Sequence, residues 1–590
     1  MIAIDTETYY DKKCSVLTLG AEAYTRHPDY YCYMVSIWGE GISFVGRPED
    51  APWDKINGTL WVAHNAQFDQ WVIKRMIDSG QIPASAPSRW ADTSAIPAYL
   101  QVKRSLDSSA KILLNESVTK TVRTAMEGKH FKDLTPEESK ALHEYALADA
   151  RLCHNLYRDW GDKLSEDEWA LAEMTVDQGN YGVQLDVRLL EDQLASVHGF
   201  HHELINAIPW AQEKAPTSVL ELKKQVRKDQ IPDMPDTTAA KDSAWGEWSE
   251  KWGEHYPYIK AFCNLRRCNK HVSTLENLNR RMDPEGIYHF SLKFCGSRLT
   301  GRWSGDGGMN MQNLTKEEIF GARIRDLVIP RAGHKLIISD LSQIEPRCLA
   351  ALAGDWDFLD YVKKGADVYE AHARSTMGYT DPRPLKEVDP ETRAVAKART
   401  LGLGYGCGAV RYQEFAKQYG LELSEVDATV AVALYRRQNP KIVNLWNRLG
   451  NGFAKKIGKT FTVELPTGRK LNWFDIAMES WHTKTNEHRK GLRATTERGS
   501  GGREPFWGSK LCENVTQALA RDVFASALVR IHKAGIRILW TVHDEVICEV
   551  PEDRVEEALE FINREMTRPH PTMPDLPLAV DSHVAERYDK

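Results

Sequence analysis

Two groups of carboxylates follow short apolar runs, one in each half of the chain. Ile2-Ala3-Ile4 leads into Asp5 and Glu7, two acids at i and i+2 whose side chains leave a strand on the same face. Leu336-Ile337-Ile338 leads into Asp340. Carboxylates presented at strand ends are ligands that Mg²⁺ and Mn²⁺ prefer. Either pattern alone is more typical of a solvated strand end, so its meaning depends on the rest of the chain.

Two further elements extend the first group. Residues 60–69 (LWVAHNAQFD) predict a strand followed by a polar turn that carries Asp69. A helix is predicted from about residue 135 to 160, begun by Thr-Pro-Glu-Glu, and it places Tyr145 and Asp149 one turn apart on one face. Each of these elements alone is more typical of a packed aromatic residue or a surface acid.

The second group, Asp340, is followed about two hundred residues later by an element that carries further acids. Residues 538–550 alternate into a hairpin with His543-Asp544-Glu545 at its tip, although acids at such tips are often only turn formers. Between the two elements, residues 393–406 predict a helix that presents two cations, an aliphatic residue and an aromatic residue on one broad face. These are Arg393, Lys397, Leu401 and Tyr405. Such a face suits a triphosphate followed by sugar and base.

Several polar and basic stretches could contact nucleic acid. Residues 300–304 (TGRWS) and 311–314 (MQNL) carry donors and acceptors suited to the minor-groove edge, or they are ordinary polar loops. The basic side chains of the helices predicted at 220–229 and 262–282 either face solvent or bind DNA phosphates. Residues 481–510 predict a flexible basic loop, which either contacts template or is a mobile insertion.

Composition limits the remaining function classes. The 590 residues carry 42% hydrophobic and 27% charged side chains with a net charge of −6, which predicts a globular protein of about three to five folding units with only local basic clefts. Ten scattered cysteines without a CxxC pair indicate neither a zinc site nor a disulfide framework. No apolar run approaches a membrane span, so no membrane association is expected.

The order TGRWS, QNL, SDLSQIEPR, RAVAKARTLGLGYG and VHDEV resembles family A DNA polymerases, the DNA polymerase I type. The N-terminal elements resemble the DEDD superfamily of 3′–5′ exonucleases in its tyrosine subtype. This resemblance spans the chain and implies an α/β and α+β multidomain fold, with an RNase H-like exonuclease domain and a right-hand polymerase. The implied domains are exonuclease 1–160, thumb (helical) 161–288, palm 289–350 and 501–590, and fingers 351–500. No 5′-nuclease domain is expected, and a bacteriophage origin with action in the host cytoplasm is predicted.

The resemblance also implies residue roles. Asp5, Glu7, Asp69 and Asp149 hold two divalent cations while Tyr145 orients the attacking water, and Asp340 and Asp544 hold two more. Mg²⁺ is expected at both sites, with Mn²⁺ able to substitute. Glu345 is the steric gate against a ribose 2′-OH. The predicted nucleotide contacts are Arg393, Lys397, Leu401, Tyr405, Glu345, Gln343 and Tyr369. The predicted DNA contacts are Arg302, Gln312, Asn313, Gln517, His543 and Arg347.

Three positions depart from the family pattern. Leu401 and Leu341 replace aromatic residues, and Tyr369 stands where many relatives carry histidine, with His372 one turn further on. These departures concern substrate selectivity, and a preference for a modified nucleotide such as 2-aminoadenine is left open.

The predicted function is template-directed DNA synthesis from dNTPs on primed DNA by two-metal nucleotidyl transfer, with 3′–5′ proofreading. The alternatives are an exonuclease whose polymerase half only binds primer–template DNA, a non-enzymatic scaffold, and a single-subunit RNA polymerase. The expected partners are primer–template DNA and dNTPs, with a processivity factor or replisome proteins left open and a monomer expected.

Overall fold

The structure, a computed structural model, describes residues 1–117, 121–240, 242–306, 310–483 and 487–589. The strands are β1 Ile2–Thr8, β2 Cys32–Gly39, β3 Ile42–Gly46, β4 Leu60–Ala63, β5 Arg89–Asp92, β6 Val183–Leu185, β7 Ile287–Tyr288, β8 Ser291–Lys293, β9 Ser304–Asp306, β10 Val328–Ile329, β11 His334–Leu341, β12 Phe461–Glu464, β13 Lys470–His482, β14 His488–Thr495, β15 Glu504–Pro505, β16 Arg537–Val542, β17 Glu545–Pro551 and β18 Val580–Ala585.

The helices are α1 Val16–Leu19, α2 Ala21–Thr25, α3 Trp53–Ile56, α4 Ala66–Asp78, α5 Ala95–Tyr99, α6 Leu106–Ser109, α7 Thr121–Ala125, α8 Pro136–Trp160, α9 Glu166–Tyr181, α10 Val187–Asn206, α11 Val219–Lys228, α12 Ser243–Gly253, α13 Pro257–Arg281, α14 Ile344–Ala353, α15 Trp356–Lys363, α16 Val368–His372, α17 Leu385–Val388, α18 Pro390–Ala398, α19 Ala409–Lys417, α20 Glu425–Gln438, α21 Pro440–Ala454, α22 Gly508–Lys533 and α23 Val555–Thr567. Among these described helices, none is long and apolar enough to cross a membrane.

The N-terminal sheet has the order β3-β2-β1-β4-β5, and β1 is parallel to β4 and antiparallel to β2. Ile2, Ala3 and Ile4 are fully buried, as expected for a central strand covered on both faces. Helix α8 packs on β1 and β2. It begins where predicted because the Thr135 hydroxyl accepts from the Glu138 N–H (3.2 Å) and the Glu138 carboxylate accepts from the Thr135 N–H (3.0 Å), a reciprocal helix cap.

A second sheet, which we call the palm sheet, is antiparallel with the order β16-β17-β11-β18. Leu336, Ile337 and Ile338 are fully buried in β11, which confirms the predicted buried strand. The predicted hairpin of residues 538–550 is also confirmed, with a two-residue tip between β16 and β17. Because residues alternate along β11, Asp340 and Leu341 face opposite sides, and Leu341 is buried in the core.

The N-terminal sheet and the palm sheet share one hydrophobic core. A single cluster of buried side chains joins Ala3 and Val62 to Leu341, and it includes Trp169 of α9 and Phe524 of α22. Apolar contact on this scale holds the two sheets in one fixed arrangement.

Three predictions about local structure are wrong in part. The region 161–288, expected to be helical, also contains β6 and β7, which form a sheet with β10 in the order β10-β6-β7. The basic loop expected at 481–510 contains the end of β13, all of β14 and β15, which belong to a sheet of order β12-β13-β14-β15, and residues 484–486 lie outside the described residues. Glycines and charges hid the alternation there. Strand β15 pairs with β14, so this sheet extends past residue 500.

The helix expected over 393–406 is not regular. Helix α18 ends at Ala398, Arg399–Leu403 forms a π-helical turn, and Gly404 to Gly406 form a turn. The π turn adds a residue per turn and rotates the following side chains, which a period of 3.6 does not predict.

Two candidate carboxylate sites

The first candidate site is a cleft beside the N-terminal sheet. Strand β1 supplies Asp5 and Glu7, the first turn of α4 supplies Asp69, and α8 supplies Tyr145 and Asp149, and all of them line one cavity of about 910 Å³. Its volume is typical of ligand clefts. The structure therefore brings together the five residues that the sequence predicted as a set.

Hydrogen bonds orient the side chains of this cleft. The Thr6 N–H and hydroxyl both donate to Asp69, at 3.1 and 2.7 Å, and the Tyr145 hydroxyl donates to Asp149 one turn along α8. Asn65, just before α4, has a left-handed backbone (φ 70°), which is uncommon outside glycine and typical of functional turns.

The clustered carboxyl groups of this cleft have raised pKa values. Burial and then repulsion from Glu7 and Asp149 raise the pKa of Asp5 well above its ordinary value. Burial raises the pKa of Glu7 to about 7, and it raises that of Asp69 to about 7 as well. One carboxylate oxygen of Asp5 is buried and has no hydrogen-bond partner among the residues that the structure describes. Because burial and like charges both disfavour ionised carboxylates, a cation bound in this cleft would stabilise their ionised forms.

Two arginines near these acids were not predicted. Arg123 of α7 lines the same cleft, and although burial lowers its pKa, the charge of Glu7 contributes to a net rise. Arg104 also lines the cleft, and its guanidinium donates to the Phe294 carbonyl. Both lie far from the acids in sequence, so no local pattern could have revealed them.

The donor set of the cleft fits divalent cations with oxygen ligands. In the described parts of the chain, no group of three or more His, Cys, Asp or Glu side chains is arranged to hold a metal ion as it stands. Mg²⁺ typically takes only one or two carboxylates, with water and substrate phosphate completing its shell. Two ions shared among four acids, with the unpartnered oxygen of Asp5 among them, agree with this rule.

The second candidate site lies at the edge of the palm sheet. Asp340 is the last residue but one of β11 and Asp544 lies at the β16–β17 tip, where the Leu341 N–H donates to the Asp544 carbonyl (3.1 Å). Burial and then the charge of Asp340 raise the pKa of Asp544 to about 7. Glu545, by contrast, is buried and accepts a hydrogen bond from the Tyr588 hydroxyl (2.8 Å). The pairing of Asp340 with Asp544 therefore supplies the two carboxylates that the sequence predicted, and their mutual repulsion fits a cation between them.

Arg302, Glu345, Tyr405 and His543 surround this pair. Arg302 forms an ion pair with Glu345 (2.5 Å), and the Tyr405 hydroxyl donates to the other Glu345 oxygen (3.3 Å). Burial and the charge of Arg302 lower the pKa of His543, and the opposing charges of Glu345 and Asp340 reduce this lowering. His543 at the hairpin tip (φ 56°) and Gln343 before α14 (φ 57°) both have left-handed backbones, so the turns that present the acids are conformationally unusual.

The cations of α18 lie over tyrosine rings. Arg393 forms an ion pair with Asp367 (2.6 Å) and lies 5.3 Å from the centre of the Tyr369 ring. The Lys397 ammonium lies 5.9 Å from the same ring and 5.0 Å from that of Tyr419. Such contacts are weak enough for the two cations to turn towards an anion.

A cavity of about 100 Å³ lies behind Glu345. It is lined by Leu401 and Tyr405, with His372 and Tyr435 on its inner side. Burial lowers the pKa of His372 to about 3, and its side chain is buried. Leu401 and Glu345 line this cavity together.

A buried ion network braces Arg302. Arg521 donates to both oxygens of Glu168 and to the Gly301 carbonyl, and Arg469 donates to Asp522 (2.8 Å) and to the Thr300 carbonyl (2.9 Å). Gly301 has φ 76°, and a Cβ there would lie 2.8 Å from Arg469, which explains the glycine of TGRWS. The network joins residues that lie more than 300 positions apart in the sequence, so the periodicity of the sequence could not predict it.

Two of the residues predicted to contact DNA, Gln312 and Arg347, form hydrogen bonds within the protein. The Gln312 side chain is buried, donates to the Thr541 carbonyl and accepts from the His543 N–H (3.1 Å). Arg347 is buried and donates to the carbonyls of Ser342 (2.9 Å) and Pro577 (3.1 Å). Gln312 therefore holds the hairpin tip and Arg347 holds the start of α14, and the DNA contacts of both residues stay predictions.

The other residues predicted to contact DNA or nucleotide differ in how exposed their side chains are. Asn313 is exposed and Gln517 is half-buried on α22. The Gln343 side-chain oxygen accepts from the Val368 N–H (3.2 Å), so this residue links α14 to α16. Tyr369 is buried beneath the two α18 cations, where it supports them.

The fold and the two sites define the class of protein: an enzyme with carboxylate centres and cationic side chains suited to phosphate chemistry. A family model described as DNA polymerase family A matches residues 222–590. The chain belongs to DNA polymerase family A. The predicted family is thus confirmed.

Relatives and a solved structure agree with this assignment. A DNA polymerase of Bacillus phage SP02 is 26% identical and aligns over 100% of this chain and 99% of its own length, which agrees with the predicted phage origin. The thermostable DNA polymerase I of Thermus filiformis is 28% identical over 75% of this chain and 51% of its own length, so the chain spans about half of that relative. The POL domain of Pol1 from M. smegmatis, in complex with DNA primer-template and dNTP, matches with a TM-score of 0.68 at 20% identity over 100% of this chain and 95% of that one. This likeness confirms the mixed α/β multidomain fold.

Proposed function

We propose that the chain extends a DNA primer along a template from dNTPs at the palm site and removes 3′-terminal nucleotides at the N-terminal cleft. The single observation that carries the proposal is the proximity of Asp340, Asp544, Arg302 and Glu345 at one end of the palm sheet, where their charges act on one another and the pKa of Asp544 is raised. Arg393 and Lys397 of α18 supply the cations of the proposed nucleotide site.

In the synthesis reaction, Asp340 and Asp544 would hold two Mg²⁺ ions, which supply activation of the primer 3′-OH and charge neutralisation at phosphorus. Arg393 breaks its ion pair with Asp367 and binds a triphosphate oxygen, and Lys397 contacts a neighbouring oxygen. Tyr405 and Arg302 hold the Glu345 carboxylate from two sides, which fixes it where a ribose 2′-OH would collide. This arrangement favours deoxynucleotides.

In the proposed exonuclease reaction, Asp5, Glu7, Asp69 and Asp149 would hold two Mg²⁺ or Mn²⁺ ions. Tyr145, fixed by its bond to Asp149, orients the attacking water. Arg123, on the same cleft, would oppose the negative charge of the scissile phosphate. The unpartnered oxygen of Asp5 and the raised pKa values of the acids support a site that is completed by cations.

We also propose the division into an RNase H-like exonuclease domain, thumb, palm and fingers, with the fingers extended to β15. Separate apolar clusters support it: one contains Ile4 and Trp61 of the N-terminal sheet, and another contains Trp446 and Trp473 of the fingers. Primer–template DNA and dNTPs are the proposed partners, and the bacterial cytoplasm is the proposed place of action.

The alternative is an exonuclease whose second half only binds DNA. One labelled primer–template assay with Mg²⁺, run with and without dNTPs, separates the two functions. Asp544→Ala is expected to abolish extension and to keep digestion, whereas Asp5→Ala combined with Glu7→Ala is expected to do the reverse. Extension by Asp544→Ala would refute the polymerase site, and digestion by the double variant would refute the exonuclease site.

A further inference from the structure

Tyr588, which follows β18, lies beside the hairpin that carries Asp544. Its side chain is fully buried, and its hydroxyl donates to Glu545 Oε1 (2.8 Å). A buried tyrosine hydroxyl usually finds a hydrogen-bond partner, and here the partner is the residue next to Asp544. The segment after β18 is therefore in direct contact with the tip of the palm hairpin.

Three contacts fix the Tyr588 ring. The Tyr588 N–H donates to the Val328 carbonyl (2.9 Å). The Arg325 guanidinium lies 4.8 Å from the centre of the ring, and the Trp540 ring of β16 meets it edge-on with 5.1 Å between the ring centres. Because the backbone and two neighbouring side chains hold the ring, its hydroxyl has a defined position beside Glu545.

Glu545 lies next to both acids of the proposed palm site. It follows Asp544 in the sequence, and in the pairing of β17 with β11 it stands directly opposite Asp340. Side chains that stand opposite each other on antiparallel strands share one face of the sheet, with Cβ atoms about 4.5–5.5 Å apart. Glu545 is only 6% exposed, whereas Asp340 and Asp544 are half-buried. A third carboxylate thus lies close to the proposed cation position, and Tyr588 draws it towards the core.

The number of carboxylates at a cation site influences which ion the site binds. Mg²⁺ typically takes one or two carboxylates together with water and substrate phosphates, whereas Ca²⁺ takes about six to eight oxygen ligands in a flexible geometry. Two carboxylates therefore suit Mg²⁺ with a triphosphate. A third carboxylate would strengthen the binding of Ca²⁺ in particular.

We propose that Tyr588 is a positioning residue of the palm site, whose hydroxyl holds the Glu545 carboxylate away from the cations so that Asp340 and Asp544 bind them. This inference rests on the proposed polymerase function. Tyr588→Phe keeps the packed ring but releases Glu545 Oε1. Glu545 then turns towards Asp340 and joins the ligands of the cation, and the site loses selectivity for Mg²⁺ over Ca²⁺.

The test measures Ca²⁺ binding by calorimetry, without DNA or dNTP, in the full chain carrying Asp5→Ala and Glu7→Ala to weaken binding at the N-terminal cleft. Adding Tyr588→Phe is expected to raise the Ca²⁺ affinity about ten-fold, because Ca²⁺ affinity rises with the number of charged ligands. Adding Glu545→Gln to that variant is expected to return the affinity to its starting value, since the amide carries no charge. Adding Asp544→Asn instead is expected to remove most of the binding, which assigns it to the palm site.

The matched control is Tyr181→Phe. The Tyr181 hydroxyl donates to Glu549 Oε2 at the same distance (2.8 Å), and Glu549 lies four residues after Glu545 on β17, about 13 Å along the strand. This variant loses the same kind of hydrogen bond at the other end of the strand, where Arg331 still pairs with Glu549. It is expected to leave Ca²⁺ binding unchanged.

Glu545→Gln alone provides a second test, which also serves if Tyr588→Phe does not fold. Because Glu545 is held away from the cations by Tyr588, this variant is expected to bind Ca²⁺ as its background does. A clear fall in affinity would show that Glu545 already binds the cation and would overturn the inference.

The remaining outcomes are equally decisive. Unchanged Ca²⁺ affinity in Tyr588→Phe, a gain that Glu545→Gln does not remove, or the same gain in Tyr181→Phe would each contradict the positioning role. Primer extension by wild-type protein is measured separately with Mg²⁺ and dNTPs. Its absence would overturn the proposed function itself, whereas the calcium measurements do not depend on turnover.

Discussion

Replacing Asp544 by asparagine is expected to stabilise the protein in the absence of divalent cations. The carboxyl has a pKa of about 7 in the fold against an ordinary value of 3.8, because burial and Asp340 disfavour its charge. That difference of about three pKa units corresponds to about 4 kcal/mol. Asparagine keeps the shape without the charge, and relaxation around the wild-type carboxylate reduces the gain, so we expect about 2–4 kcal/mol at pH 8.

The sign of this effect depends on pH. The folded protein binds more protons at Asp544 than the unfolded chain between about pH 4 and pH 7, so wild-type stability falls as pH rises through that range. The advantage of the variant is therefore full at pH 8 and absent below pH 4. Mg²⁺ is expected to stabilise wild-type protein more than the variant, because only the carboxylate pair attracts the ion strongly.

The assay is urea unfolding in EDTA at pH 8 and pH 4, followed by the same measurement with Mg²⁺. Glu545→Gln is the matched control: its carboxylate already accepts the Tyr588 hydroxyl, so no gain in stability is expected. A loss of stability for Asp544→Asn at pH 8, or an equal gain for the control, would refute the reasoning that repulsion within the palm pair raises this pKa.

Three further predictions concern the gate, the N-terminal cleft and the ion network. Glu345→Ala is expected to raise ribonucleotide incorporation relative to deoxynucleotides by about ten-fold or more; an unchanged ratio of kcat/KM values contradicts the gate. At limiting Mg²⁺, digestion is expected to fall about ten-fold between pH 8 and pH 6, because protons compete with cations at carboxyls such as Glu7 with a pKa of about 7, and excess Mg²⁺ should restore it; a fall that Mg²⁺ does not reverse counts against metal binding there. Arg521→Met is expected to cost about 3–5 kcal/mol of unfolding free energy because it leaves Glu168 without its buried partner, while Asp522 keeps Arg469. Arg530→Met, which removes a more exposed guanidinium from its pair with Glu565, should cost less, and the reverse order in urea unfolding contradicts this.

Local signals predicted the parts of the fold that local chemistry determines. The buried strand before Asp340, the hairpin at Asp544 and the capped helix α8 all follow from short apolar runs, turn residues and a Thr-Pro-Glu-Glu start. The four N-terminal acids and Tyr145 were found because the motif order resembles a known family, and the structure brings them to one cleft.

What the sequence did not predict depends on contacts between distant residues. Gln312 and Arg347 have the composition of DNA contacts, but carbonyl groups from remote elements use them inside the protein. The bracing of Arg302 by Arg469 and Arg521 joins distant segments. The π-helical turn after α18 has no residue pattern of its own, and in residues 481–510 glycines interrupt the alternation that would have predicted strands.

The most direct test of the central claim is anomalous diffraction from crystals of the protein grown with primer–template DNA, a non-hydrolysable dNTP analogue and Mn²⁺. The account predicts anomalous density between Asp340 and Asp544, in contact with both carboxylates and the triphosphate. Mn²⁺ bound elsewhere, with none between Asp340 and Asp544 while DNA and nucleotide occupy the cleft, would contradict it.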